Sequence, residues 1–200
     1  MVGDRRKARN ALTRQQILDA AWELVRENGL ASLAMRDLGD RVGMRAQSIY
    51  VYFPSKHAIF DAMYAAGHQQ AFDMHAAVAE ADDPRETLRR HARGYVHFAT
   101  ADPVRYQLLY QRTIPGFEPS AESYEIAKRG LDYVRRTLRA CGIAGQPALD
   151  AFTALTGGLA AQQNANEPGG KRWLRLTDEL TDMYLAHYLP PHTHESGATP

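Results

Sequence analysis

The sequence predicts an all-α protein of about nine helices. Apolar residues recur at a period near 3.6 along almost the whole chain, no run of alternating β-branched residues appears, and capping and stop residues stand where the periodic segments end. Thr13 with Gln16 has the spacing of a capping box, and Ile17, Ala21, Leu24 and Val25 form the stripe of a first helix that Asn28-Gly29 stops. Met35, Leu38 and Val42 make a short second helix closed by Gly43, and Ile49, Tyr50 and Phe53 a third that ends before Pro54. Ser55 caps a fourth helix running to about Asp82. Asp83-Pro84 with Glu86 opens a fifth, and Asp102-Pro103 repeats the device for a sixth. Pro115, Gly116 and Pro119 interrupt the chain before Ser120 caps a seventh helix that reaches Cys141-Gly142. Pro147 starts an eighth that extends to Asn166. After the loop Pro168-Gly169-Gly170, a ninth helix is expected from Lys171 to Tyr188, stopped by Pro190-Pro191, with residues 190–200 a disordered tail.

With 200 residues, 44% of them hydrophobic, the chain can bury a sizeable core and is too apolar to be disordered. Its formal charge of +1 hides an asymmetry. In residues 1–60 the basic Arg5, Arg6, Lys7, Arg9, Arg14, Arg26, Arg36, Arg41, Arg45 and Lys56 outnumber Asp4, Asp19, Glu23, Glu27, Asp37 and Asp40, so an acidic remainder follows a basic first third. That distribution points one end of the molecule at a polyanion. The single cysteine, Cys141, excludes an internal disulfide and a Cys-cluster zinc site, as fits a reducing, cytoplasmic location. Arg5 to Arg9 is followed by polar Asn10, Thr13, Arg14, Gln15 and Gln16 rather than the apolar region of an export signal. The uncharged stretch Ala151 to Asn166 carries Thr153, Thr156, Gly157, Gly158, Gln162 and Gln163, and reads as a buried helix rather than a membrane span.

The second and third helices meet at Val42-Gly43-Met44, with Leu38, Val42, Ile49 and Phe53 spaced to pack both against the first. This is the construction of a helix-turn-helix, whose second helix enters the DNA major groove. Polar groups cluster on its outer side: Arg36, Arg45, Gln47, Ser48, Tyr50, Tyr52 and Lys56 are the candidate DNA-binding residues. Arg and Gln suit guanine and adenine, although the sequence leaves open whether Arg45 and Gln47 reach bases or phosphates. Lys56 opens the fourth helix, where free N–H groups favour a phosphate. Arg5, Arg6, Lys7 and Arg9 read either as an arm in the minor groove or as a solvated end.

The run Gly29 to Leu38, then Val42-Gly43-Met44, then Ser48-Ile49-Tyr50-Val51-Tyr52-Phe53-Pro54-Ser55-Lys56 resembles the DNA-binding pattern of the TetR family of transcriptional regulators over about residues 13–60. Ala34 and Arg45 stand where that family usually has a helix-capping Ser or Thr, and His57 where an acid commonly follows the lysine. The resemblance implies a helix-turn-helix DNA-binding domain over residues 1–54, a helical ligand-binding and dimerisation domain over residues 55–189, and a homodimer on a double-stranded DNA operator.

In the second part, Tyr64, His68, Tyr95, Phe98, Tyr106, Tyr110 and Phe117 combine flat apolar faces with hydroxyl or imidazole tips. They read as a mixture of core and pocket for a small-molecule effector. His68, His75, His91 and His97 lack Asp or Cys at ligand spacing, so neither a metal nor another cofactor is expected. Phe152, Leu155 and Leu159 on the eighth helix and Trp173, Leu176, Leu180, Met183 and Tyr184 on the ninth form stripes that are either interior or a two-fold helical seam, and the resemblance implies the seam. No Ser-His-Asp arrangement, phosphate loop or HExxH motif points to an enzyme. The expected function is a ligand-responsive repressor released from a pseudo-palindromic operator. The alternatives are a non-inducible architectural DNA binder and, from a different class, a small helical enzyme with a His-lined pocket.

Overall fold

A computed structural model describes residues 2–189, with side chains from Arg5 onward. The tail expected to be disordered lies outside the described residues. Helices α1 (Val2–Asn28), α2 (Met35–Val42), α3 (Ala46–Tyr52), α4 (Lys56–Ala76), α5 (Pro84–Ala101), α6 (Pro103–Tyr110), α7 (Ala121–Ala140), α8 (Gln146–Asn166) and α9 (Thr177–Tyr188) are joined by loops and two short 3₁₀ turns, with no strand among the described residues. No helix there is long and apolar enough to cross a membrane.

The chain divides into two compact units, one holding the residues up to Phe72 together with Asp102–Arg129, the other Asp73–Ala101 together with Gly130 onward. The boundary expected at Pro54-Ser55 therefore falls inside the first unit. In that unit Ile17, Ala21 and Val25 of α1, Leu38 of α2, Ile49 of α3 and Ile59, Phe60 and Met63 of α4 are fully buried in one core, which Leu108 of α6 joins. Burial of each large side chain contributes about 1.5–3 kcal/mol, and this shared core fixes α3 against α1 and α4. The second unit has its own core of Leu88 and Ala92 from α5, Val134 and Leu138 from α7, Leu149 and Phe152 from α8, and Tyr184 and Leu185 from α9.

Three helix boundaries differ from the sequence expectation. α1 begins at Val2 rather than at Thr13, because Arg5 to Leu12 are mostly good helix formers and the helix runs through them. Thr13 Oγ1 bonds back to the Arg9 carbonyl at 3.1 Å, as a hydroxyl inside a helix does, and caps nothing. α4 stops at Ala76 instead of near Asp82. The residues after it serve the next helix: Asp83 accepts from Arg85 N at 2.9 Å and Thr87 Oγ1 from Ala81 N at 2.9 Å. The helix expected from Lys171 begins only at Thr177. Upstream of it the buried Gln163 side chain accepts from Trp173 N at 2.9 Å and Glu167 from Arg172 N at 2.7 Å, which holds this segment in turns.

Candidate nucleic-acid interface and aromatic cavity

The turn between α2 and α3 closes as the sequence requires. Gly43 sits in the left-handed region at φ 69°, its N–H bonds to the Asp40 carbonyl at 3.4 Å, and Met44 N reaches the Gly39 carbonyl at 2.8 Å. This is a Schellman end, with glycine at the one position where a Cβ is penalised. Gly39 is needed for a different reason: a Cβ there would stand 2.6 Å from the Met44 carbonyl oxygen. The close approach sets the angle at which α3 leaves the turn.

On α3 and the residue before it, Arg45, Gln47 and Tyr50 are exposed while Ile49 is buried, so one face packs and the opposite face stands free. Neither α2 nor α3 has a side-chain cap, which leaves their first N–H groups to outside acceptors. Arg36 is exposed, with Asp40 at 4.0 Å as its nearest acid. Ser48 is half-buried. Tyr52, expected to turn outward, is also half-buried and packs on the core. Lys56 is engaged as well: its Nζ donates to the Ala31 carbonyl at 3.0 Å and lies 5.5 Å above the Phe60 ring. Arg5, Arg6, Lys7 and Arg9 are exposed on α1 and helical, not an extended arm.

Arg14, which sequence reasoning overlooked, holds the end of α3. It donates to the Tyr52 carbonyl and lies 4.1 Å over the Phe53 ring. Its position three residues before the buried Ile17, on the edge of the apolar stripe of α1, was the available signal.

Five of the seven expected effector residues come together in the first unit. Tyr64 and His68, one turn apart on α4, have ring centroids 4.4 Å apart; His68 meets Tyr110 edge-on at 5.6 Å, and Phe117 approaches Tyr64 at 6.5 Å. Tyr106 is buried and packs on Tyr110 at 5.6 Å. A cavity of about 390 Å³ opens among Tyr64, Tyr110, Ile114, Phe117, Glu118 and Tyr124, a size in the range of small-molecule sites. Burial raises the phenol pKa of both Tyr64 and Tyr110 and pushes the His68 imidazole down to about 4, with the Leu109 main chain opposing that shift. His68 Nε2 is buried with no hydrogen-bond partner among the described residues. Of the expected residues Tyr64, Tyr110 and Phe117 line this cavity; His68 and Tyr106 pack behind its wall, and Tyr95 and Phe98 lie on α5 in the second unit. Gln111, Arg112 and Glu118 line it unforeseen, because they sit in the loop between α6 and α7, where no periodicity marks them, and Tyr124, part of the aromatic-rich stretch that ends there, joins them.

In the second unit His75 and His91 face each other, with Nδ1 atoms 3.1 Å apart, and His97 is exposed. Among the described residues no three His, Cys, Asp or Glu side chains are arranged to hold a metal ion. Of the expected seam residues, Phe152, Leu159 and Tyr184 are core: all are buried, and the Tyr184 hydroxyl donates to the Ala148 carbonyl at 2.9 Å. Leu155, Trp173, Leu176 and Leu180 are half-buried, and Met183 is 60% exposed.

The family model for bacterial regulatory proteins of the tetR family matches residues 17–63, and that for the tetracyclin repressor-like C-terminal domain matches residues 88–163. The HTH-type transcriptional repressor Rv1353c of Mycobacterium tuberculosis is 29% identical over 147 residues, covering 74% of this chain and 53% of the relative. The chain thus spans about half the length of that relative. The tetracycline repressor protein class C of Escherichia coli is 28% identical over 175 residues, covering 86% and 74% of the two chains. Among solved structures, the regulator PfmR of Thermus thermophilus superposes with a TM-score of 0.65 at 20% identity, covering 84% of this chain and 96% of that one. FadR of Bacillus subtilis, solved in complex with stearoyl-CoA, superposes with a TM-score of 0.67 at 17% identity, covering 86% and 97%.

Proposed function

As this chain belongs to the TetR family of bacterial transcriptional regulators, we propose that it is a homodimeric repressor, acting in the cytoplasm, that a small organic effector releases from a pseudo-palindromic operator. Two copies of α3 enter major grooves about 34 Å or more apart, with Arg45, Gln47 and Tyr50 facing the DNA and Arg36, Ser48, Tyr52 and Lys56 at the margins.

The observation that carries the effector reading is the cavity walled by Tyr64, Tyr110 and Phe117, with His68 packed behind Tyr64 and Tyr110 and its Nε2 buried without a hydrogen-bond partner among the described residues. A buried polar atom without a hydrogen bond costs about 1–3 kcal/mol, and a ligand hydroxyl or amide N–H that moves Tyr64 or Tyr110 aside to reach it would recover that cost. Two relatives lend support: one is named for repression linked to tetracycline, and one was solved with stearoyl-CoA.

The cavity is tied to the DNA-binding helices by contacts within the first unit. Phe117, on its wall, packs against Phe60 at 5.9 Å and His57 at 6.0 Å, next to the Lys56 contact with Ala31. Asp102, the cap of α6, accepts from Arg26 of α1 at 2.9 Å. An effector that displaces Phe117 or Tyr110 would thus shift the start of α4 and α6 relative to α1. A difference of about 1–3 kcal/mol between two arrangements suffices for regulation.

The test is operator release. Labelled DNA from upstream of the chain's own gene is bound to the protein, and small organic molecules are screened for its dissociation. Tyr110→Ala is expected to abolish release by an active molecule while leaving unliganded operator affinity within about twofold, since Tyr110 is far in sequence from α3 and absent from its packing. If Tyr110→Ala lowers thermal stability and leaves release unchanged, Tyr110 is core and the effector reading fails.

A further inference from the structure

The second unit contains a larger cavity, of about 600 Å³, that the proposed function does not use. Its walls come from the end of α4, the loop after it, α5 and α7. Ala76, Val78, Ala81, Pro84 and Ala140 supply apolar surface, and His75, Glu80, Thr87, His91, Tyr133, Arg136 and Thr137 supply polar groups. Both threonine hydroxyls are committed locally, Thr87 to Ala81 N and Thr137 to the Tyr133 carbonyl. Arg136 differs from three arginines of α5 in its surroundings. Arg89, Arg90 and Arg93 each pair with a carboxylate, whereas Arg136 lies 4.3 Å over the Tyr133 ring and makes no ion pair among the described residues.

We propose that this cavity is a binding site for a small organic monocarboxylate, received by the Arg136 guanidinium and the His75–His91 pair. A guanidinium fork matches a planar carboxylate and is held flat by the ring beneath it. In the imidazole pair one Nδ1–H donates to the other Nδ1 at 3.1 Å, so the Nε2 of the donor ring is left as an acceptor and is the place where a proton can be added without breaking the pair. The titratable and charged groups facing the pair are Glu80 from the loop, Arg136 and Tyr133 from α7, and the two rings themselves. Glu80 offsets the Arg136 charge, so the site gains the positive charge that balances a single carboxylate as the imidazole pair takes up a proton, and the apolar walls take the carbon body.

Burial keeps the pair neutral near pH 7, with His75 pushed down to about 4. A bound carboxylate favours the imidazolium, so the ligand is taken up together with a proton and binds more tightly as the pH falls from 8 to 6.

The experiment is calorimetric titration of the full-length protein with acetate, hexanoate and benzoate, and with benzamide as the uncharged counterpart. Two buffers of different ionisation enthalpy measure proton uptake. The expected result is saturable binding of hexanoate or benzoate at one per chain, with uptake of part of a proton. Benzamide and the Arg136→Gln variant should each lose at least about tenfold in affinity, with the helical circular dichroism signal unchanged. Arg136 is exposed, so its replacement spares the core. His91→Gln should remove the proton uptake. Failure of all three acids to bind at millimolar concentration overturns the proposal, as does binding indifferent to Arg136→Gln. So does tight Zn²⁺ or Ni²⁺ binding that depends on both histidines and excludes the acids, which would make the pair a metal site. Tyr110→Ala should leave acid binding intact, which separates this outcome from that of the aromatic cavity.

Discussion

Gly39 and Met44 are in such close approach that the missing Cβ of the glycine would stand 2.6 Å from the Met44 carbonyl oxygen. The obstacle is main chain, so the turn itself would have to move. Gly39→Ala is therefore expected to destabilise the protein by about 1–3 kcal/mol in urea unfolding, although alanine is the better helix former. It should also weaken operator binding by tilting α3. A variant as stable as the wild type would show that the turn has slack.

Arg14 joins α1 to the last carbonyl of α3 and covers Phe53. Arg14→Ala should cost about 1–2 kcal/mol of stability and lower operator affinity without Arg14 touching a base. Arg14→Lys should restore only part of the loss, because an ammonium cannot stack and donate in the same geometry. Full rescue by lysine would reduce the role of Arg14 to its charge.

His68 is held down to about 4 by burial, against 6.5 for a free histidine. Above pH 6.5 it is neutral in folded and unfolded chains alike. As pH falls toward 4 the unfolded chain binds a proton that the folded chain excludes, so stability present at neutral pH is lost across that window. The contribution of His68 reaches about 3 kcal/mol, and His75 and His91, also lowered by burial, act in the same direction. Urea unfolding at pH 7 and pH 5 should show the drop, and His68→Phe should shrink it. Equal stability at the two values would mean that these rings are hydrated.

Half-buried Leu180 and exposed Met183 on α9 are the residues left for the proposed contact with a second copy. Leu180→Glu and Met183→Glu should both give monomers in sedimentation and lose tight operator binding. Met183→Glu should do so without loss of monomer stability, since its side chain stands in solvent. A wild-type monomer at micromolar concentration would remove the two-fold seam from the account.

The elements that the sequence made legible are those with a local cause. Gly29 at φ 83° and Gly43 at φ 69° follow the last residues of α1 and α2, and Phe53 precedes Pro54 at the end of α3. Tyr64 and His68 share a face because they are four residues apart on one helix. Thr13 misled because a capping motif inside a run of helix formers has nothing to cap. Phe152 and Met183 belong to equally periodic stripes, and periodicity does not distinguish a buried face from an exposed one. Contacts such as Arg14 with Tyr52, or Ser120 with Asp61 at 2.7 Å, join distant residues and leave no pattern in the sequence.

The most direct measurement is the salt dependence of operator affinity for the wild type, Arg45→Ala, and the double variant Gln47→Ala/Tyr50→Ala, read by fluorescence anisotropy. These side chains are exposed and take no part in the core, so all three proteins should unfold at nearly the same temperature. The double variant should lose at least about tenfold in affinity for the operator. Arg45→Ala should either flatten the salt slope by about one unit, marking a phosphate contact, or lose affinity at a single base pair with the slope retained, marking a base contact. Unchanged operator affinity in both variants would contradict the assignment of the exposed α3 face as the surface that reads DNA.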